Sequence, residues 1–274
     1  MPTALVLRAA GTNCDEEVCR GFSQAGATPR LVHLDEVIRS PAMIHDADLI
    51  AFPGGFSYGD DIASGRIFAM RVRERLYPAL REAAQRGCPM IGICNGFQVL
   101  VQVGLLPGPH SADQDWPADH APERRVALTR NKDARYACRW VRVEYVDDSP
   151  CVWTRGLSNL HGHESMLPVG HGEGRLVGLT DQTTEDLEKN RQVAVRYIDN
   201  FNGSQRAIAG LCDATGRIFG LMPHPDRFLD WTRHPFWTRL DESARSGPTP
   251  GQRFFLNAVD AIKESQTAPL ASSH

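Results

Sequence analysis

The sequence predicts an α/β fold in which a mostly parallel sheet is flanked by helices and continues into an antiparallel extension in the second half of the chain. Three observations support this prediction: short β-rich apolar runs in the first half, helical patterns between some of them, and strand-like runs with few helices in the second half. The first-half runs lie at residues 4–9, 30–34, 48–53 and 89–94, and the helical patterns at about 15–25 and 66–86. Strands that alternate with helices are typical of a parallel sheet.

The helical pattern that precedes the fourth run has a clear apolar face. Val72, Leu76, Leu80 and Ala83 or Ala84 recur at helical spacing, and Gly87 follows where a C-terminal cap is expected. The run at 89–94 starts directly afterwards, so the pattern predicts a helix that returns the chain to a neighbouring strand.

The second half predicts strands at 139–146, 192–199 and 207–222. A turn at 212–217 divides the last run into a hairpin, in which Gly216 can take the left-handed conformation. Residues 107–124 are rich in Pro, Asp and His without periodicity, which indicates a mobile surface loop. Residues 251–265 place Phe255, Val259 and Ile262 at helical spacing, so this helix is predicted to pack back onto the sheet.

The composition argues against some classes of function, namely nucleic-acid binding and a place in the membrane. The 274 residues are 42% hydrophobic and carry a formal charge of −3, so no strong field would attract nucleic acid or an anionic membrane. No apolar stretch approaches the length of a membrane span, and the first residues run into a strand without a signal sequence, so we expect a cytoplasmic protein. The seven cysteines contain no Cys-x-x-Cys pair, which favours reduced thiols; they are Cys14, Cys19, Cys88, Cys94, Cys138, Cys151 and Cys212.

Cys94 is the candidate nucleophile. It ends the fourth apolar run, and Gly92 and Gly96 stand two residues to either side of it. Such a run predicts a nucleophile elbow, a sharp turn from strand to helix that exposes the thiol and aims the helix N-terminus at the sulfur. Because reactive groups gather at the carboxyl ends of parallel strands, the segments 53–55 and 11–13 should lie on the same rim as Cys94.

His224 and Asp226 are the candidate partners of the nucleophile. They follow the last apolar run, and the prolines on both sides of His224 predict an extended backbone that projects both side chains to one side. A cysteine nucleophile needs such a base and a group that orients it. The N–H of Asn95 and an N–H of the Gly54–Gly55 pair, assigned to Gly55, are the predicted oxyanion-hole donors.

Together these residues resemble the triad glutamine amidotransferases of class I, which have a flavodoxin-like fold. Within that superfamily, six segments resemble the glutaminase subunits of phosphoribosylformylglycinamidine synthase. They are Gly11-Thr12-Asn13-Cys14-Asp15, Pro53-Gly54-Gly55-Phe56-Ser57-Tyr58-Gly59-Asp60, Gly92-Ile93-Cys94-Asn95-Gly96-Phe97-Gln98, His171-Gly172-Glu173-Gly174, Asn202-Gly203-Ser204 and Met222-Pro223-His224-Pro225-Asp226-Arg227.

The resemblance implies a function and further site residues. It implies hydrolysis of L-glutamine and transfer of the ammonia to formylglycinamide ribonucleotide, in de novo purine synthesis. It places Gln98 against the glutamine, with Gly54 and Phe56 as further predicted contacts, and puts His171 and Glu173 in an active-site loop without metal. It also implies one amidotransferase domain over residues 1–265, with a frayed tail at 266–274.

The resemblance also implies partners. The ATP-consuming half of the reaction would belong to a synthetase subunit, and a small bridging subunit is expected beside it. The chain contains no Gly-x-x-x-x-Gly-Lys-[Ser/Thr] loop. ATP and magnesium are therefore expected on the synthetase, and no cofactor is expected on this chain.

Two departures leave alternatives open. Asp226 stands where the family usually has Glu, and residues 228–250 are an additional segment whose aromatic residues form either core or a docking surface. A cysteine hydrolase of the same architecture that acts on other amides or peptides is one alternative, and a catalytically silent docking subunit is another. A metal cluster is a third; its candidate ligands are His161, His163, Glu164 and His171.

Overall fold

The computed structural model describes residues 1–243 and 245–267. Within these residues it contains eleven strands and eight α-helices. The strands are β1 (Thr3–Arg8), β2 (Thr28–His33), β3 (Leu49–Phe52), β4 (Met90–Ile93), β5 (Val126–Thr129), β6 (Ala137–Tyr145), β7 (Met166–His171), β8 (Arg175–Gly178), β9 (Val193–Tyr197), β10 (Ile208–Cys212) and β11 (Ile218–Leu221). The helices are α1 (Asp15–Gln24), α2 (Leu34–Arg39), α3 (Ala42–His45), α4 (Arg66–Arg75), α5 (Tyr77–Gln85), α6 (Asn95–Val103), α7 (Asp181–Lys189) and α8 (Pro250–Thr267).

The main sheet confirms the predicted mixture of parallel and antiparallel strands. Its order is β2-β1-β3-β4-β11-β10-β9-β6-β7 across the described residues. The strands from β2 to β11 in this order run parallel, and the remaining pairs are antiparallel. Strand β4 lies between β3 and β11, so it carries the chain's nucleophile elbow into the middle of the sheet.

The antiparallel extension holds more structure than the sequence indicates. Strands β6, β9, β10 and β11 match the predicted runs, and Gly216 in the β10–β11 turn has a φ of 73°. The sequence did not predict β7, the small antiparallel pair β5–β8, or α7. Strand β7 contains a proline and a glycine, which are depleted in strands, and the buried face of α7 is mostly threonine.

The helical segment predicted at 66–86 is two helices rather than one. Helix α4 ends and α5 begins around Leu76, which has a φ of −122°, and a proline occupies the first turn of α5. A proline in that position cannot donate the hydrogen bond that would continue α4. The apolar face is nevertheless buried, and Gly87 takes the predicted left-handed cap with a φ of 78°.

Residues 107–124 form no helix or strand, as predicted. They are not wholly on the surface, because Trp116 is 7% exposed and its ring lies against Gly108. The aromatic residues of the additional segment at 228–250 are divided between core and surface: Phe228 and His234 are buried and Trp231 is partly buried, whereas Trp237 is 39% exposed.

The C-terminal helix packs on the sheet, as the spacing of Phe255, Val259 and Ile262 predicts. The Phe255 ring meets the Phe22 ring of α1 edge to face at a centroid distance of 5.1 Å, and Phe254 packs against Tyr145 and Phe219. Residues 266 and 267 continue α8, and the rest of the predicted frayed tail lies outside the described residues. No described helix is long and apolar enough to cross a membrane.

The packing of α8 predicts a large loss of stability for Phe255→Ala. Phe255 is fully buried, and its ring fills the space that the absent side chain of Gly21 leaves on α1. We expect a decrease of about 3–5 kcal/mol in the free energy of unfolding, measured by urea denaturation. Met70→Ala, at a side chain that is 52% exposed, is the control and should change the stability little. Equal effects of the two substitutions would contradict the proposed packing role of Phe255.

Candidate active site

Cys94 occupies a strained turn between β4 and α6. Its φ of 52° and ψ of −105° lie outside the regions that non-glycine residues normally adopt. The Cys94 N–H donates to the Leu221 carbonyl oxygen at 2.8 Å, and the Sγ lies 3.6 Å from the Gly170 carbonyl oxygen. Cys94 immediately precedes the first turn of α6, so the predicted elbow geometry is present.

The two loops predicted on the same rim are joined by hydrogen bonds. Thr12 and Gly55 form an isolated bridge, and the Phe56 N–H donates to the Gly11 carbonyl oxygen at 2.9 Å. A Cβ on Gly54 would lie 2.7 Å from His224 Cε1, so this backbone runs directly against the imidazole. The carboxyl ends of β1, β3 and β4 therefore converge on His224.

His224 and Asp226 are in contact, although not through the predicted extended backbone. His224 Nδ1 lies 3.3 Å from Asp226 Oδ1 and 3.5 Å from Oδ2, and the residues are 2% and 1% exposed. His224 itself is extended, but Pro225–Arg227 forms a 3-10 turn. Pro225 favours the first position of such a turn, so the turn, rather than strand alternation, brings the two side chains together.

The surroundings of His224 favour its charged form. Burial alone would lower the pKa of this imidazole, but the carboxylate of Asp226 and the thiol of Cys94 outweigh burial and hold the pKa well above its usual value. A buried imidazolium beside a nucleophilic cysteine is equipped to donate a proton to a leaving group.

Cys14 is a second thiol at this site, which the sequence placed only in a neighbouring loop. It is fully buried, and Arg227 donates to its Sγ at 3.0 Å. The interaction with Cys14 also contributes to the raised pKa of His224. Cys14, His224 and Asp226 are the one group of potential metal ligands within 4.8 Å of one another in the described residues, so the alternative cluster around His161, His163, Glu164 and His171 finds no support.

A hydrogen-bonded network connects the start of α6 with two loops. Asn95 Nδ2 donates to Asp60 Oδ1 at 3.1 Å and to Gln98 Oε1 at 3.0 Å. Gln98 Nε2 donates to the Glu173 carbonyl oxygen at 2.5 Å, and Glu173 Oε2 accepts from the Ser64 N–H at 3.2 Å. The predicted glutamine contact, Gln98, is thus engaged within the protein, and its role toward substrate stays a prediction.

His171 is held beside the nucleophile by Asn131. Asn131 Nδ2 donates to the carbonyl oxygens of Arg135 and His171, so Asn131 Oδ1 accepts from His171 Nδ1 at 3.1 Å. Burial, and then the charge of His224, lower the pKa of His171 to about 4. His171 is therefore a neutral imidazole whose Nε2 has no hydrogen-bond partner.

The mouth of the site carries two exposed aromatic rings. Phe56 is 44% exposed and Tyr136 is 55% exposed, and their ring centroids lie 6.4 Å apart. Burial and the nearby Cys94 raise the pKa of the Tyr136 hydroxyl, which places it close to the nucleophile. Sequence reasoning missed Tyr136, because it precedes a predicted strand and no local pattern distinguishes it.

This arrangement defines a class of chemistry. A cysteine on an elbow, a buried imidazolium–carboxylate pair and a helix N-terminus are the parts needed to form and break a thioester at a carboxamide carbon. The sequence profile of the CobB/CobQ-like glutamine amidotransferase domain matches residues 1–261. The profile match assigns the chain to the glutamine amidotransferases, and its fold and candidate site agree with that class.

Relatives define the family more narrowly. The chain is 37% identical over 277 residues to phosphoribosylformylglycinamidine synthase subunit PurQ of Methanococcus maripaludis, a match that covers 97% of this chain and 96% of that protein. It is 38% identical over 267 residues to the PurQ subunit of Dehalococcoides mccartyi, covering 93% and 95%. The chain belongs to the family of phosphoribosylformylglycinamidine synthase subunit PurQ.

A solved structure supports the same relationship. The structure of PurLQS from Thermotoga maritima contains a chain that superimposes with a TM-score of 0.69 at 29% identity, covering 95% of this chain and 99% of that one. A protein from Thermoplasma acidophilum that is assigned to GMP synthase has a TM-score of 0.54 at 12% identity, with 97% and 96% covered, and so shares the fold alone.

The lowered pKa of His171 predicts a specific dependence of stability on pH. Because the unfolded imidazole takes up a proton near pH 6.5 and the folded one near pH 4, stability is present above 6.5 and lost as the pH falls between these values. The loss should be about 3 kcal/mol. His171→Gln should flatten this dependence in urea denaturation. His161→Gln, at an exposed histidine, should keep the wild-type slope; equal slopes in both variants would contradict the prediction.

The elbow geometry predicts selective modification of Cys94. We expect a chloroketone analogue of glutamine to label Cys94 before the other six thiols, as read by peptide mass spectrometry, because the elbow places this sulfur beside the N-terminus of α6 and near His224. Iodoacetamide, which carries no glutamine group, serves as the control and should favour the exposed Cys138. Preferential labelling of the buried Cys14 by the analogue would contradict the assignment of the nucleophile.

Proposed function

We propose that this chain is the glutaminase subunit of phosphoribosylformylglycinamidine synthase. It hydrolyses L-glutamine to glutamate and passes the ammonia to a synthetase subunit. That subunit uses ATP to convert formylglycinamide ribonucleotide to formylglycinamidine ribonucleotide in de novo purine synthesis. The observation that carries the proposal is the strained elbow at Cys94 beside the buried pair His224–Asp226, in a chain related to PurQ subunits over more than nine-tenths of its length.

The first half of the reaction forms a thioester. The Cys94 sulfur, whose proton has passed to His224, attacks the side-chain carboxamide carbon of glutamine, and the carbonyl oxygen becomes an oxyanion at the backbone N–H groups of Asn95 and Gly55. The C–N bond then breaks as His224 gives its proton to the nitrogen, so neutral ammonia leaves. The raised pKa of His224 supports this role, because the imidazole carries the proton that the leaving group needs.

The second half regenerates the thiol. His224, now neutral, accepts a proton from a water molecule as the water oxygen attacks the thioester carbon. The C–S bond breaks, the sulfur takes up the proton that His224 accepted, and glutamate leaves. Asp226 keeps Nδ1 as the protonated nitrogen of the ring, which leaves Nε2 available for both proton transfers. Gln98, Gly54 and Phe56 are proposed to position the glutamine, with His171 and Glu173 in the loop beside it.

Several further assignments complete the proposal. The partner is a synthetase subunit that holds ATP and magnesium, with a small bridging subunit. The related structure from Thermotoga maritima is that of PurLQS, which supports an assembly of this kind. The chain itself holds no cofactor and works in the cytoplasm. Residues 1–265 act as one amidotransferase domain, consistent with the profile match over residues 1–261.

The proposal predicts that Cys94→Ala abolishes glutamate release. Removal of the nucleophile of a catalytic triad costs at least about a thousandfold in turnover. Glutamate should be measured for the wild type and the variant in the complex with synthetase, formylglycinamide ribonucleotide and ATP. Cys88→Ala is the matched control, because Cys88 precedes β4 and so lies at the opposite end of that strand from Cys94, and this variant should keep the wild-type rate.

The same measurement separates the alternatives. Release that depends on Cys94 and rises when the synthetase is loaded would support the proposed subunit. Binding to the synthetase without any release by the wild type would favour a silent docking subunit, and release from other amides without synthetase binding would favour an independent cysteine hydrolase. The ammonia-supplied reaction of the complex should survive Cys94→Ala, because added ammonia bypasses the thioester.

A further inference from the structure

We propose that His171 and Tyr197 form a receiving site for ammonia behind Cys94, an inference that rests on the proposed function. Ammonia is both a hydrogen-bond acceptor and a donor, and the two side chains offer it the complementary groups. His171 contributes an imidazole nitrogen with a free lone pair, and Tyr197 contributes a hydroxyl. Both atoms are buried without a hydrogen-bond partner in the protein.

His171 is fixed so that its acceptor atom is the free one. Its Nδ1 donates to Asn131 Oδ1 at 3.1 Å, because the Asn131 amide nitrogen is already committed to two carbonyl oxygens. The Nε2 therefore carries the lone pair. The ring lies against the backbone at Gly174, where a Cβ would be 2.3 Å from His171 Nδ1, so a residue without a side chain is required there for the imidazole to hold this position.

Tyr197 offers the matching donor. It lies at the end of β9, is 2% exposed, and its hydroxyl oxygen is buried without a partner. An unpaired buried hydroxyl costs about 1–3 kcal/mol, so the atom requires an explanation such as a bound small molecule. The hydroxyl can donate to the lone pair of an ammonia molecule and accept one of its hydrogens.

The His171 and Tyr197 rings have a common neighbour. The rings of His171 and Tyr197 pack on the same Phe201 ring, at centroid distances of 5.6 Å and 5.1 Å. The backbone preceding His171 reaches the nucleophile, since the Gly170 carbonyl oxygen lies 3.6 Å from Cys94 Sγ. The charge of Cys94 also acts on the Tyr197 hydroxyl, so both side chains lie near the atoms that release ammonia.

The charge states suit neutral ammonia rather than ammonium. Burial and the charge of His224 lower the pKa of His171 to about 4, so this imidazole gives no proton to ammonia at neutral pH. Burial, and to a lesser degree Cys94, raise the pKa of the Tyr197 hydroxyl, which stays uncharged. Neither of the two side chains carries a negative charge that would pair with ammonium, so the nitrogen keeps the lone pair that an acceptor substrate requires.

The test compares Tyr197→Phe with wild type in the complete complex with synthetase. The complex receives glutamine labelled with ¹⁵N in the amide, formylglycinamide ribonucleotide, ATP and unlabelled ammonium in the medium. We expect the amidine formed per glutamate to fall about fivefold, the equivalent of one lost hydrogen bond, with a lower ¹⁵N content in the product. Glutamate release should keep the wild-type rate, because the thioester chemistry does not use this hydroxyl.

Tyr145→Phe is the matched control. Tyr145 also carries a buried hydroxyl without a partner, but burial alone raises its pKa and Cys94 makes no contribution. This variant should transfer ¹⁵N as the wild type does. His171→Gln is the second variant: Gln keeps a hydrogen-bond acceptor but not its placement, and it should lower the transfer ratio while the thermal unfolding midpoint shows that the chain is folded.

The outcomes separate this inference from the proposed function. Wild-type transfer ratios in both Tyr197→Phe and His171→Gln would overturn the receiving site. The two unpaired atoms would then be assigned to hydrogen bonds with ordinary water. An equal loss in Tyr145→Phe would also overturn it, because any buried hydroxyl would then give the effect. If the wild type itself released no glutamate or formed no amidine, the proposed function would fail instead.

Discussion

The close approach of helix α6 to strand β3 fixes the position of Cys94, and the rest of the site is arranged around it. A Cβ on Gly96 would lie 1.8 Å from the Phe52 carbonyl oxygen, and one on Gly92 would lie 2.5 Å from the Gly96 carbonyl oxygen. A residue without a side chain is therefore required two positions before the thiol and two positions after it. The turn leaves Cys94 with a φ of 52°, a strain of about 1–3 kcal/mol that the surrounding packing must hold. The hydrogen bond from the Cys94 N–H to Leu221 joins this strained turn to β11. That strand leads directly to His224, so the nucleophile and its base share one rigid support.

The antiparallel extension supplies the other wall of the site. The hairpin β10–β11 places β11 in the parallel half and β10 at the start of the extension, so the two halves are continuous through one sheet. Across the sheet, β9, β6 and β7 follow β10, and the carboxyl end of β7 meets Cys94 at the Gly170 carbonyl oxygen. A parallel sheet alone would leave the nucleophile facing solvent on this side. The extension encloses it, which reduces water access and lowers the local dielectric constant around His224.

The sequence predicts those parts of the molecule that depend on local pattern. The strands of the parallel half, the elbow and the hairpin at Gly216 each have a signature a few residues long, and each is present. Tyr136 and the free Nε2 of His171 have no such signature, because their importance comes from contacts with residues dozens of positions away. The 3-10 turn at 225–227 was predicted as extended chain because flanking prolines restrict φ but leave ψ open. Strand β7 escaped prediction for a related reason: Pro168 and Gly170 weaken its local preference, and its pairing with β6 determines its conformation.

The same 3-10 turn bears on the shorter carboxylate of this chain. Asp226 lies 3.3 Å and 3.5 Å from His224 Nδ1, longer than the best N–H···O hydrogen bonds. A long hydrogen bond loses much of its strength. The energy of attraction between two opposite charges decreases more slowly, because it varies inversely with their distance. Both side chains are almost fully buried, so little solvent screens that attraction. Asp226 is therefore suited to stabilise the imidazolium by its charge and to select Nδ1 as the protonated nitrogen. A triad needs both of these effects from its carboxylate, and neither requires the additional methylene of a glutamate.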